Sequence, residues 1–136
     1  MKRVTGIGGI FFKCENPESI LRWYNEHLGI SPVGESAVFE WMQKEKAGEY
    51  GHTVWGPFER VTKYFHPSTK DFMINYRVEN LEALIERLRE EGVEIVGDIE
   101  KYDYGKFGWI MDPEGNKIEL WEPDDKIFRK TSMLDG

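Results

Sequence analysis

The sequence predicts an α+β fold: two tandem strand-helix-three-strand modules forming a concave, partly closed mixed sheet with helices outside. Three observations predict it. The segment Phe12 to Glu18 matches Tyr76 to Glu82, with identical Glu, Asn and Glu and like residues between them. A second match, Trp55-Gly56-Pro57 with Trp121-Glu122-Pro123, follows in the same order at nearly the same offset. Each half also carries one apolar stripe at helical spacing between an asparagine and a glycine.

The first module, about 5–57, opens with a β-prone run from Ile7 to Phe12. Asn16 is a good N-cap, and Pro17 is tolerated at the first helical position. Ile20, Leu21, Tyr24 and Leu28 then form the stripe, and Gly29 ends it as a left-handed cap. Strands are expected near Ser31–Gly34, Ala37–Gln43 and Tyr50–Trp55. A connection over 58–70 leads to the second module, about 71–123. There Phe72 to Val78 reads as a strand and Asn80 as the cap, followed by the stripe Leu81, Leu84, Ile85 and Leu88 up to Gly92. Strands are expected near Val93–Val96, Phe107–Met111 and Lys117–Trp121, with Asp112-Pro113-Glu114-Gly115-Asn116 turning between the last two. The polar tail, 124–136, is expected at the surface or frayed. All 136 positions form one domain on this reading.

Composition narrows the function. The chain is 40% apolar and 32% charged, as a globular domain is. Its 25 acidic and 18 basic residues give a net charge of −7, which argues against nucleic acid or an anionic membrane as partner. One cysteine, Cys14, and no signal-like or membrane-length apolar run point to a cytoplasmic setting. Five Trp, six Tyr and eight Phe suit either an aromatic core or an apolar ligand pocket. There is no Gly-rich phosphate loop, because Gly6-Ile7-Gly8-Gly9 precedes a strand rather than a helix.

The tandem modules, the opening helix with Trp23-Tyr24 and Leu28-Gly29, and the ending Asp112-Pro113-Glu114-Gly115-Asn116 before Ile118-Glu119-Leu120 resemble the vicinal-oxygen-chelate superfamily. It includes glyoxalase I, bleomycin-resistance proteins, methylmalonyl-CoA epimerase and extradiol dioxygenases. The resemblance runs from about Thr5 to Pro123. It implies a glyoxalase-like scaffold, a small-molecule ligand in the concave sheet and a homodimer. In metal-using members a divalent ion is held by residues of the first and last strand of each copy. Carried onto this chain through the repeat, those positions read Gly9, Thr53, Met73 and Glu119, of which only Glu119 has a hard, charged donor. No metal site is expected, and no cofactor is favoured. His52 is expected to face the helix-covered side, His66 lies in the connection, and His27 lies on the polar side of the first helix.

Strand alternation then adds neighbours to the inner face. Lys117 and Trp121 go with Glu119, Trp55 goes with Thr53, Asn75 and Arg77 go with Met73, and Ile7 and Phe11 go with Gly9. The candidate ligand-binding residues are Phe11, Trp55, Asn75, Arg77 and Trp121. Glu119 is the candidate catalytic base, since a carboxylate among aromatic rings can act as a proton acceptor. Three functions remain open on the sequence: a metal-free binder of a small, partly apolar molecule, a divalent-metal lyase, epimerase or dioxygenase with displaced ligands, and a non-catalytic interaction domain. A cleft plugged by the chain's own side chains is the feature expected of the third.

Overall fold

A computed structural model describes residues 2–131; positions 132–136 of the expected tail lie outside the described residues. The strands are β1 (Val4–Cys14), β2 (Ala37–Met42), β3 (Tyr50–Glu59), β4 (Phe72–Val78), β5 (Glu100–Tyr102), β6 (Gly105–Met111) and β7 (Lys117–Pro123). The helices are α1 (Pro17–Leu28), α2 (Leu81–Glu90) and α3 (Asp125–Thr131). All seven strands form one open mixed sheet in the order β2-β3-β1-β4-β7-β6-β5. Antiparallel β1 and β4 join the halves, while β1–β3 and β4–β7 are parallel. The expected strands at 31–34 and 93–96 shrink to the single bridges Val33–Ser36 and Ile95–Ile110, and β5 is one that periodicity did not mark.

The two outer helices start alike and pack differently. Asn16 Oδ1 accepts the Ser19 amide at 3.0 Å, and Asn80 Oδ1 accepts the Ala83 amide at 3.1 Å. Each satisfies one of the amides that a helix start leaves without a partner. Gly29 takes the left-handed conformation that closes α1. In α2 the stripe Leu81, Leu84, Ile85 and Leu88 is buried against Val78, Ile110 and Leu120. Gly108 of β6 has no side chain beneath Leu81 and Ile85, so the helix sits close. No residue of α1 is buried, and Leu28 of its stripe is exposed.

The parallel ladders decide which side chains share the concave face. Asn75 pairs with Glu119, and Gly9 and Phe11 pair with Val54 and Gly56. Partners in a ladder point the same way, so the inward residues of β3 are the even-numbered ones. This corrects the placement of Trp55. It pairs with Ile10 and packs on Phe12 and on Tyr24 of α1, on the helix-covered face. Thr53 is likewise not beside Glu119, for its hydroxyl donates to the Ile7 carbonyl and accepts the Trp41 indole. His52 faces opposite to the expected side, and no bulge in β3 is needed to put it there. A break in the β1–β4 register between Ile7 and Gly9 pairs Ile7 with Tyr76, off the inner face.

Candidate functional site

Glu119 lies within β7, 3% exposed, and accepts bonds from three side chains. Asn75 Nδ2 donates to its Oε1 at 2.7 Å. Trp109 Nε1 donates to Oε2 at 2.9 Å, and the Tyr64 hydroxyl donates to the same oxygen. Lys117, two residues earlier on the same face, donates to the Tyr64 carbonyl at 2.7 Å and stands over the Tyr64 and Trp109 rings. Burial holds its ammonium below the ordinary lysine value, partly offset by the charges of Glu119 and Glu100. Burial, then the Glu119 charge, pushes the Tyr64 phenol well above its ordinary value.

Tyr64 and Phe65 belong to the connection between the halves, which folds back into the concave face. Short turns bring it there: the Ser68 amide bonds the Phe65 carbonyl at 2.9 Å, and the Tyr64 amide bonds the Thr62 hydroxyl at 3.2 Å. Phe65 is fully buried with Met73 and Trp109, against Phe11 and Phe58. The centre of the face is therefore filled by the chain's own rings.

A second cluster lies at the other end of β4. Arg77, 3% exposed, forks onto Asp125, with Nη1–Oδ1 at 2.8 Å and Nη2–Oδ2 at 2.5 Å. Its guanidinium stands between the Trp41 and Trp121 rings, 5.1 and 5.5 Å from their centroids. His52 Nδ1 lies 3.0 Å from Asp125 Oδ1, and Gln43 Nε2 donates to Oδ2 at 3.2 Å. Burial alone would raise the Asp125 carboxyl; bonds from His52 and Arg77 outweigh it and hold the group below its ordinary value. Phe128 of α3 packs on His52, Tyr104 and Trp121. Part of the tail expected at the surface is thus a helix anchored in the concave face.

These residues do not fit the divalent ion that the fold would suggest. As oriented, Asn75, Trp109 and Tyr64 point N–H and O–H donors at Glu119, and the Lys117 ammonium stands on the same face, so the only charged oxygen donor there is Glu119 itself. The inward positions Gly9, Val54, Gly56 and Met73 offer no hard donor. His52 meets Asp125 and Glu40 at opposite ring nitrogens, so the three do not converge on a point. Among the described residues no three His, Cys, Asp or Glu form a metal-holding group.

Among the described residues, two of the cavities border this face. One, of about 870 Å³, runs beside the end of β3 beyond its ladder with β2. Its floor is Phe11, Val54, Gly56 and Phe58, and Glu18, Glu35 and Glu59 stand on its walls. The other, of about 630 Å³, lies between β3, β5 and α3, beside His52 and Asp125.

Of the predicted site residues, Phe11, Asn75, Arg77, Glu119 and Trp121 share the concave face and Trp55 does not. The sequence reading missed Trp109, Tyr64, Trp41, His52 and Asp125. Trp109 was within reach, because the Asp112–Asn116 turn sets a hairpin register that places it opposite Glu119.

The fold and the site define a class: a paired-module α+β scaffold with a buried glutamate, Glu119, on its concave face. A family model described as a glyoxalase-like domain matches residues 9–121, and the chain belongs to that family. Comparison with curated proteins gave no match. Among solved structures, a Streptomyces coelicolor methylmalonyl-CoA epimerase in complex with 2-nitronate-propionyl-CoA is similar at a TM-score of 0.64 and 16% identity, over 89% of this chain and 99% of that one. Methylmalonyl-CoA epimerase from Mycobacterium tuberculosis is similar at 0.60 and 21% identity, over 94% of each chain. A chain described as NAD-dependent benzaldehyde dehydrogenase from Legionella pneumophila follows at 0.55 and 14%, over 85% and 98%. The two descriptions differ in chemistry, and identities this low establish a shared fold alone.

Proposed function

We propose that this protein is a metal-independent binder of a small, partly apolar molecule, neutral or cationic, in the cleft beside the end of β3. The observation that carries the reading is an open cleft of about 870 Å³: the plugged centre of the face by itself favours an interaction domain, and this cleft at the end of β3 is not plugged. The cleft has an apolar floor and three carboxylates on its walls, a profile suited to an aromatic amine. Glu119, whose oxygens are occupied by Asn75, Trp109 and Tyr64, holds the connection in place. It serves as a proton acceptor only in a state where Tyr64 has left it. Of the candidate ligand-binding residues only Phe11 lines this cleft; Asn75, Arg77 and Trp121 lie outside it. A homodimer is part of the proposal, and the incompletely covered α1 face, with Trp23 and Leu28 exposed, supports it.

The test is calorimetric titration with a panel of aromatic amines and their uncharged analogues. Binding of an amine that is weakened at least about ten-fold by Gly56→Val supports the reading, because the new side chain enters the cleft between Phe11 and Ser36. Absence of binding across the panel, or binding that ignores Gly56→Val, refutes it.

A further inference from the structure

The Arg77 cluster has the form of a filled receptor. Its donors come from the sheet: Gln43 just after β2, His52 of β3 and Arg77 of β4. Trp41 of β2 and Trp121 of β7 hold the guanidinium between their rings. The acceptor comes from outside the sheet. Asp125 is the first residue of a seven-residue helix that follows the last strand. One carboxylate thus receives the Arg77 fork, Gln43 and His52 on its two oxygens.

A buried arginine needs an anion, because an unpaired guanidinium in the interior is costly. A planar, two-oxygen anion suits the fork. Asp125 meets that need without completing it. Arg77 Nε, also buried, has no acceptor among the described residues. Beside Asp125 opens the cavity of about 630 Å³, whose lining includes Tyr50, Tyr102, Lys101, Lys106 and Lys126. The two phenol rings offer room for the body of an aromatic ligand; the lysines are matched by Glu49, Asp103, Glu122 and Asp124, and Lys101 and Lys106 pair with Glu82, so the preference for an anion rests on the Arg77 fork.

We infer that Arg77, His52 and Gln43 form a binding site for a small aryl carboxylate, and that Asp125 is a tethered stand-in for its carboxylate. When the ligand arrives, its carboxylate replaces that of Asp125 on the Arg77 fork and its ring enters the neighbouring cavity. Helix α3 then leaves its anchor at Phe128. This site is separate from the cleft beside β3 and selects the opposite charge, so either can fail without the other.

Benzoate is the probe, and benzamide, the same shape without the charge, is the control. A tethered carboxylate competes at an effective concentration on the order of millimolar. The full chain carrying Asp125→Ala therefore binds benzoate at least about ten-fold more tightly than the wild type and does not respond to benzamide. Where Asp125→Ala does not fold in plain buffer, recovery of its folded near-ultraviolet signal in benzoate, and not in benzamide, is the same result. Phe128→Ala keeps Asp125 and loosens only the anchor; it tightens benzoate binding by a smaller factor. Adding Arg77→Lys to Asp125→Ala keeps the charge, removes the fork and abolishes the gain. Equal responses to benzoate and benzamide, no gain in either single variant, or a gain that survives Arg77→Lys overturns the inference.

Discussion

Replacing Glu119 by Gln and by Leu separates an acid that organises the chain from one that waits for a cation. Three donors converge on its carboxylate, from Asn75, Trp109 and Tyr64. A glutamine can keep all three bonds. Its oxygen takes the Trp109 and Tyr64 donors, and its amide faces Asn75. Asn75 turns its own amide over to accept, since its Oδ1 has no other partner. What is lost is charge assistance, about 1 kcal/mol for each of the bonds. Relief from burying a carboxylate offsets part of that. The net loss for Glu119→Gln is about 1–2 kcal/mol. In Glu119→Leu the Asn75 and Trp109 donors, 2% and 6% exposed, are left without an acceptor. At roughly 1–3 kcal/mol each, on top of the bonds themselves, the loss is about 4–6 kcal/mol. The Tyr64 hydroxyl escapes that penalty because its residue, 41% exposed, can turn the hydroxyl out to water once the acceptor is gone. Urea unfolding followed by tryptophan emission measures both variants, with equal slopes required for the comparison. A leucine variant as stable as the glutamine variant, or more so, refutes the reasoning. That outcome is expected if Glu119 were a loosely held acid whose burial costs more than its bonds return.

Two further outcomes follow from the same geometry. The Asp125 carboxyl is held below its ordinary value of 3.8, so the folded state binds the proton less readily than the unfolded one. Its contribution to stability is therefore complete above that value and is lost as pH falls through the lower folded value. Thermal unfolding between pH 2 and 6 should show this loss in the wild type and a smaller one in Asp125→Asn; equal acid profiles would exclude Asp125 as the cause. A Cβ at Gly8 would lie 2.2 Å from Asn75 Oδ1 and 3.0 Å from both Arg77 and Trp121. Gly8→Ala should therefore cost about 1–3 kcal/mol by overpacking, and an unchanged denaturation midpoint would show that the bulge of β1 yields.

Much of the frame was legible because it rests on local rules. Asn16 and Asn80 cap their helices as an asparagine before a stripe predicts, and β4 spans Phe72–Val78 as its pattern indicated. Alternation within β4 and β7 groups Asn75 and Arg77 with Glu119 and Trp121, because a strand has only two faces. The error at Trp55 came from transferring a face between the halves. Its likeness to Trp121 is real in sequence, yet the two indoles lie on opposite faces, one against α1 and the other against Phe107. A slip of one residue inverts a strand, and the same slip turned His52 away from Asp125. The segments that fill the concave face were not legible at all. Tyr64 and Phe65 lie in a connection without periodicity, and Asp125 lies in a polar tail. Their positions follow from long-range contacts with Glu119, Met73 and Arg77 that no local pattern encodes.

Glu119 is held by the donors of Asn75, Trp109 and Tyr64 rather than kept for an ion. Titration of the purified protein with manganese(II), read by water proton relaxation, tests this directly, since manganese favours the hard oxygen ligands of such sites. No saturable site is expected, and the same weak response in Glu119→Gln. One equivalent of tightly bound manganese that disappears in Glu119→Gln would contradict it.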